Sequence, residues 1–425
     1  MLPLLLAACN NPGSTTPTGD TGDVTTGPMC PADGVAPDAP TWSEHVAPLV
    51  RDHCAACHQD GGIAPMSLQT YEQVAPLAGV ISSVVEAREM PPWLPACADC
   101  ATTLAASRDL DPDQIATLRA WASAGAPEGT PIDPLVPPDL TELAEVDRTL
   151  EMASAYTPPA SPSDTYRCFL LPPVSTVETH IVGYRVTPGA PSIVHHGIVF
   201  EPTSVDAERE AVALDEADDG PGWTCYGGPG VDASFVAGWA PGVGATEFPS
   251  GTGLAIAKDR GFILQIHYNV AAGPVPDVTT VELDLQDAVD HPARFERIET
   301  RDIQLPPGQA GQTASATLQL PSGERGLVWG AAPHMHELGT AIGLVRQRPS
   351  ADPTCVLDLP RWDFHWQNLY LFNEPVALEA GDTVDLTCTW DTTSRTTDTV
   401  FGEGTEDEMC LAFAYITAPI AGRGL

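Results

Sequence analysis

Lysine is almost missing from this chain: Lys258 is the single example in 425 residues, and Lys and Arg together number 19 against 57 Asp and Glu. The resulting net charge of −38 argues against nucleic acid or an anionic membrane surface as partner, because both would be repelled. Long apolar runs are missing as well. None reaches the roughly 18 residues of a membrane-spanning helix. Aromatic residues are only 6%, whereas Pro (43) and Gly (37) are abundant, a balance that suits short strands joined by many turns. Hydrophobic residues are not scarce: at 43% they exclude disorder of the whole chain. A prior of roughly 150 residues per domain predicts two or three domains. Nor is cysteine scarce. Eleven are too many for a reducing cytosol unless they hold metals or cofactors.

The first cysteine has a local explanation. Leu4-Leu5-Leu6-Ala7-Ala8-Cys9 is a short apolar run ending in small residues. It resembles the lipobox of bacterial lipoproteins, which implies acylation of Cys9 and an exported, lipid-anchored chain in the cell envelope. A basic leader is lacking and the apolar run is short. Residues 10–28 are rich in Thr, Gly, Pro and Asp and read as a tether that cannot pack a core. Leader and tether together take residues 1–40.

Cys54-Ala55-Ala56-Cys57-His58 is the C-x-x-C-H pattern of covalent haem attachment. Its spacing lets both thiols reach the porphyrin while His58 coordinates the iron. The competing reading is a redox C-x-x-C pair. The flanks are helical: Val46, Leu49 and Val50 form an i, i+3, i+4 stripe. Asp111 with Gln114 is a capping-box pattern, Pro112 suits a first turn, and Ile115, Leu118 and Trp121 continue an apolar face. Residues 41–129 therefore resemble a small all-α cytochrome c domain carrying one haem c. Met90, between Glu89 and Pro91, is the expected sixth ligand, with Met66 the alternative. Residues 130–160 are assigned to a linker.

Beyond it the chain changes to period-two alternation, as in residues 179–186, 193–200, 262–270, 327–331 and 384–390. Two all-β antiparallel sandwiches of jelly-roll type, 161–290 and 291–425, are the natural architecture. Metal ligands cluster within them: His195-His196, then His267, then His334-Met335-His336, and Met409 before Cys410. His334 and His336 share a strand face, so their imidazoles can meet one ion. His195 and His196 should face oppositely unless a bulge turns one of them, and Gly197 would permit a bulge.

These motifs resemble the copper type II, ascorbate-dependent monooxygenases. The resemblance rests on Asp164-Thr165-Tyr166-Arg167-Cys168, His195-His196, Leu264-Gln265-Ile266-His267-Tyr268, His334-x-His336 and Asp407-Glu408-Met409-Cys410, in the family's order between about residues 163 and 419. It implies one copper on His195, His196 and His267, a second on His334, His336 and Met409, and O2 reacting beside the second. A thioether such as Met409 is a soft ligand that favours the reduced ion. The resemblance also implies disulfides Cys168–Cys225 and Cys388–Cys410, and leaves Cys30, Cys97, Cys100 and Cys355 unassigned. A Cys97–Cys100 bridge would be tight.

The substrate clamp departs from the family. Where the peptide-amidating members hold a substrate carboxylate with Arg, Asn and Tyr, this chain has Ala332, Leu411 and Phe413. The expected function is hydroxylation of a C–H bond in a small, uncharged substrate with O2, with two coppers storing the electrons. Fusion to the cytochrome raises the haem's effective concentration at the copper domains, so an external donor would feed them through it. The alternatives are a non-enzymatic copper and haem electron-transfer protein of the envelope, and a binding module using the sandwiches as scaffold.

Overall fold

Most strands bury one apolar face by alternation and a few are buried on both faces, so the sheets stack on one another. The computed structural model describes residues 34–418 except 63, 96–99, 101, 106, 138–141, 163, 272, 350, 403 and 405; Cys9, Cys30 and Cys97 therefore lie outside the described residues. Three sheets build the β-rich part, with a two-stranded ribbon beside them. A five-stranded sheet orders Trp223–Thr224, Asp164–Leu171, Phe262–Asn269, Val194–Pro202 and Ala233–Trp239. A four-stranded sheet orders Ala310–Gln319, Thr383–Asp391, Gly339–Gln347 and Thr354–Leu359.

Both pack on a single nine-stranded sheet. It contributes Ile181, Tyr184 and Leu283 to the core under the five-stranded sheet, and Val328, Phe372 and Ala412 to the core under the four-stranded one. The two sandwiches are thus joined by a common layer: His291–Thr300 pairs in parallel with Thr252–Ile256 and antiparallel with Cys410–Thr417. On Cys410–Thr417 the alternation is divided between the halves. Cys410, Ala412, Ala414 and Ile416 enter the second core, while Tyr415 enters the first. Residues 148–156, assigned to the linker above, contribute structure instead. Arg148–Glu151 is an edge strand on Thr280–Gln286, and Leu150 and Met152 are buried in the first core.

The N-terminal part is helical, as its periodicity predicts. Ala47–His53, Ala78–Glu86 and Pro112–Ser123 enclose Trp42 and Trp121, whose rings lie 6.3 Å apart. Asp111 and Gln114 form the reciprocal capping box at the start of the last helix, which satisfies two of its orphan N–H groups.

Disulfides pin all three parts. Cys168–Cys225 and Cys388–Cys410 are present, and the latter joins the two sheets of the second sandwich. Cys100 pairs with Cys355, a contact across 255 residues that ties the helical part to the second sandwich; local spacing gave no sign of it. Three bridges place the folded chain in an oxidising, exported setting. Among the described residues no helix is long and apolar enough to cross a membrane.

Candidate metal centre

His195 and His196 reach one site because the strand slips. In the pairing with Phe262–Asn269, Val194 opposes Tyr268 and His196 opposes His267, so the register shifts at His195. That bulge re-aims a side chain that simple alternation would send to the other face. The result is a cluster of three imidazoles, His195, His196 and His267. Nδ1 of His196 lies 3.3 Å from Nδ1 of His195 and 3.4 Å from Nδ1 of His267. Nitrogens bound at about 2.0 Å to one ion at a tetrahedral angle stand about 3.3 Å apart. The residues fit one ion.

Protonation supports the same reading. Burial pushes His195 down to about 3 and His196 well below its ordinary value, so both rings are neutral ligands at physiological pH. His267 is also lowered by burial, with Asp164 opposing. Nε2 of His267 donates to Asp164 Oδ1 at 3.0 Å, which leaves Nδ1 unprotonated and aimed at its neighbours. The Tyr166 ring stacks on His267 at 4.2 Å and holds it in plane.

A second pair comes from the other half. His334 ends the strand Gly326–His334 and His336 follows it, with ring centroids 5.1 Å apart. Nδ1 of His334 is bonded to Gln367 Oε1 at 2.5 Å, and Nδ1 of His336 to the Asp407 carbonyl at 3.0 Å. Each ring therefore presents Nε2. Burial lowers both, His334 to about 3. His334 opposes Leu411 in the sheet register, and extending that register two residues brings Met409 level with His336. Met409 is only 3% exposed yet belongs to no apolar core cluster among the described residues. Neighbouring Glu408 fixes this corner. Its carboxylate accepts from the backbone N–H of His336, Leu338 and Met409 and from the Trp390 indole.

The two clusters face one cleft, lined by Tyr166, His196, Gln265, His334, His336 and Phe364 among others. Its room is about 30 Å³, which suits about one water. One loop touches both clusters. Gln367 holds His334, the Phe364 ring lies 5.9 Å from His336, and the His365 ring lies 5.4 Å from His195. Sequence reasoning missed Gln367, His365 and the supporting role of Glu408. The density of aromatic and polar side chains in Trp362-Asp363-Phe364-His365-Trp366-Gln367 was the available signal.

Residues 150–273 match the family profile described as copper type II ascorbate-dependent monooxygenase, N-terminal domain, and residues 299–419 match its C-terminal domain. The chain belongs to this family. Among curated relatives of this monooxygenase-family chain, tyramine beta-hydroxylase of Caenorhabditis briggsae is 26% identical over 64% of this chain and 49% of that protein. Dopamine beta-hydroxylase of Bos taurus is 24% identical over 63% and 46%. Peptidyl-glycine alpha-amidating monooxygenase A of Xenopus laevis is 26% identical over 62% and 27%. The chain thus spans about half or less of the length of these relatives. Neither family match includes the helical segment before residue 148.

In that segment Cys54 and Cys57 are unpaired thiols. Burial raises both, Cys54 to about 12, opposite to the lowered thiols of redox C-x-x-C pairs. His58 Nδ1 bonds the Met66 carbonyl at 3.1 Å, leaving Nε2 for a ligand. Two unpaired thiols and an imidazole with Nε2 free are the donor set that a covalently held haem would need.

Proposed function

We propose that the chain is a copper-dependent monooxygenase that hydroxylates a C–H bond of a small uncharged substrate, with a haem c in its N-terminal part relaying electrons. The observation that carries this reading is the single cleft faced by histidine clusters from both halves. His195, His196 and His267 would hold one copper; His334, His336 and Met409 would hold the other. When bound, the coppers supply two stored electrons, which with O2 and two protons balance conversion of R–H to R–OH and water.

The chain's own residues orient and exclude. Asp164, Gln367 and the Asp407 carbonyl fix which imidazole nitrogen faces the cleft, and such outer partners set ligand basicity and direction. Level with His334 stand Leu411 and, one row on, Ala332 and Phe413. Phe413 stacks on Phe235 at 5.1 Å. Arg297, which opposes Phe413, is already paired with Glu299. This row offers no free charge to a substrate carboxylate, which supports an uncharged substrate.

Cys54 and Cys57 would hold the haem and His58 would ligate its iron, which supplies one-electron transfer. Met66 is tied through its carbonyl to the His58 ring, which favours Met90 as the opposite ligand. Acylation at Cys9 completes the proposal as an envelope anchor.

The test is copper and haem per chain, followed by O2 uptake matched to product over a panel of small uncharged substrates. Two coppers, one covalent haem and one product per O2 are expected. Metals and haem without product from any substrate would favour the electron-transfer reading; a chain binding neither would leave only a scaffold.

A further inference from the structure

We propose that the haem-bearing motif docks on the turn at residues 240–243 of the first copper domain, so that electrons enter at the three-histidine cluster. This rests on the haem and copper reading above. The contact is specific. A Cβ placed on Gly242 would lie 3.2 Å from Cys57 Sγ and 3.3 Å from Arg108 Nη1. The turn and the motif therefore meet so closely that a Cβ would press on both, and φ at Gly242 is +79°, which also favours glycine. Arg108 Nη1 donates to the Pro241 carbonyl at 3.1 Å, clamping the same turn.

From Gly242 the path to the cluster is short and stiff. Val243 N–H donates to the Ala240 carbonyl at 3.0 Å, and the buried Trp239 indole donates to the Val243 carbonyl at 2.9 Å. Trp239 opposes Gly197 in the ladder, the residue directly after His196. Three Cα steps span at most about 11 Å, and one strand spacing adds about 4.8 Å. The helical part also touches the second half, where Arg108 lies near Tyr370 and the remaining contacts are made by other residues. Thr102 bonds the Val356 carbonyl, Ala105 the Leu371 carbonyl, Arg361 the Ala87 and Arg88 carbonyls, and Cys100 is bridged to Cys355. These contacts come from residues 87–105, outside the C-x-x-C-H motif, and serve as its tether.

The transfer would involve one electron and no proton: a haem held by Cys54, Cys57 and His58 would give up one electron, a copper held by His195, His196 and His267 would accept it, and an external one-electron reductant would restore the haem.

The experiment uses the full chain loaded with haem and copper, kept without O2. A photogenerated one-electron reductant reduces the haem; its reoxidation is followed by absorbance, and freeze-trapped samples are read for cupric signal. A fast internal phase is expected, matched by loss of the three-histidine cupric signal. It should vanish in His267→Ala and persist in His336→Ala. Arg108→Ala, which removes a charged hydrogen bond, and Gly242→Ala, which adds that Cβ, should each slow it about tenfold or more at unchanged haem and copper content. Persistence in His267→Ala, loss in His336→Ala, or wild-type rates in both docking variants of a haem-bearing chain would overturn the route while leaving the haem reading intact. A chain with no covalent haem would overturn both.

Discussion

Replacing Gln367 with leucine should weaken copper at the second cluster by about 10–100-fold and leave the first unchanged. Gln367 Oε1 lies 2.5 Å from His334 Nδ1, while its Nε2 donates to the Phe364 carbonyl at 2.9 Å. The second bond fixes the amide's orientation, so an acceptor always faces His334. With His334 held neutral by burial, its one N–H then sits on Nδ1 and Nε2 is free for metal. Leucine leaves that N–H buried without a partner, at about 1–3 kcal/mol. The ring can escape only by moving the proton to Nε2, which blocks the ligand atom. Both outcomes lower affinity. Gln367→Glu restores the acceptor to His334 but loses the bond to the Phe364 carbonyl, so it should recover part of the lost affinity. Site-resolved competition for Cu(I) against a chelator reads the effect. Wild-type affinity in Gln367→Leu would refute the argument, and so would an equal loss in Gln367→Glu, which would assign the effect to loop packing.

Asp164→Ala should lower copper at the first cluster by about tenfold or more, because His267 loses the acceptor that frees its Nδ1; equal loss at both sites in a metal titration would count against this. Met409→Leu should cost under about 1.5 kcal/mol in thermal unfolding but remove the sulfur shell from the Cu(I) absorption edge, and a persisting shell would assign the sulfur elsewhere. The Asp382 carboxylate is held below its usual range first by its bond to Arg348, at 2.6 Å. A depressed folded pKa stabilises above the unfolded value near about 3.9 and is lost as pH falls through the lower folded one. Asp382→Asn should therefore lower stability at neutral pH, by less than the loss of a fully buried pair because the Arg348 side chain is partly exposed to solvent. Its stability deficit in denaturant titrations should shrink below about pH 4; a deficit that persists there would refute the ion-pair account.

Two strands that carry histidines were legible because alternation is local and largely shows in their own residues, Val194–Pro202 and Gly326–His334, whereas Phe262–Asn269 is buried on both faces and reads as a near-continuous apolar run. The terminal helix of the helical part was legible from Asp111, Pro112 and Gln114 alone. The joining of the sandwiches was not. It depends on the parallel pairing of His291–Thr300 with Thr252–Ile256, which no side-chain pattern announces. The edge strand Arg148–Glu151 was read as linker because it is four residues long with one buried position, too short for period two to appear. The outer partners of the clusters were hidden for a related reason. Gln367 stands 33 residues from His334 in the chain, and Asp164 stands 103 from His267, so spacing rules for ligands do not reach them.

The common sheet also fixes how the two clusters stand relative to each other. A flexible linker between separate sandwiches would let their separation vary. Here Cys410–Thr417 carries both sets of contacts. Its outward residues meet the first half through Phe413 on Phe235 and Tyr415 on Phe248, with centroids 5.1 and 4.5 Å apart. The Tyr415 hydroxyl bonds Thr252 Oγ1 at 3.1 Å. The same strand opposes His334 through Leu411 and is preceded by Met409. Aromatic packing between the halves therefore sets the position of the second cluster relative to the first. The cleft is walled on one side by Tyr166, His196, Ile198 and Gln265 of the five-stranded sheet and on the other by His334, His336 and the loop that carries Phe364 and Gln367.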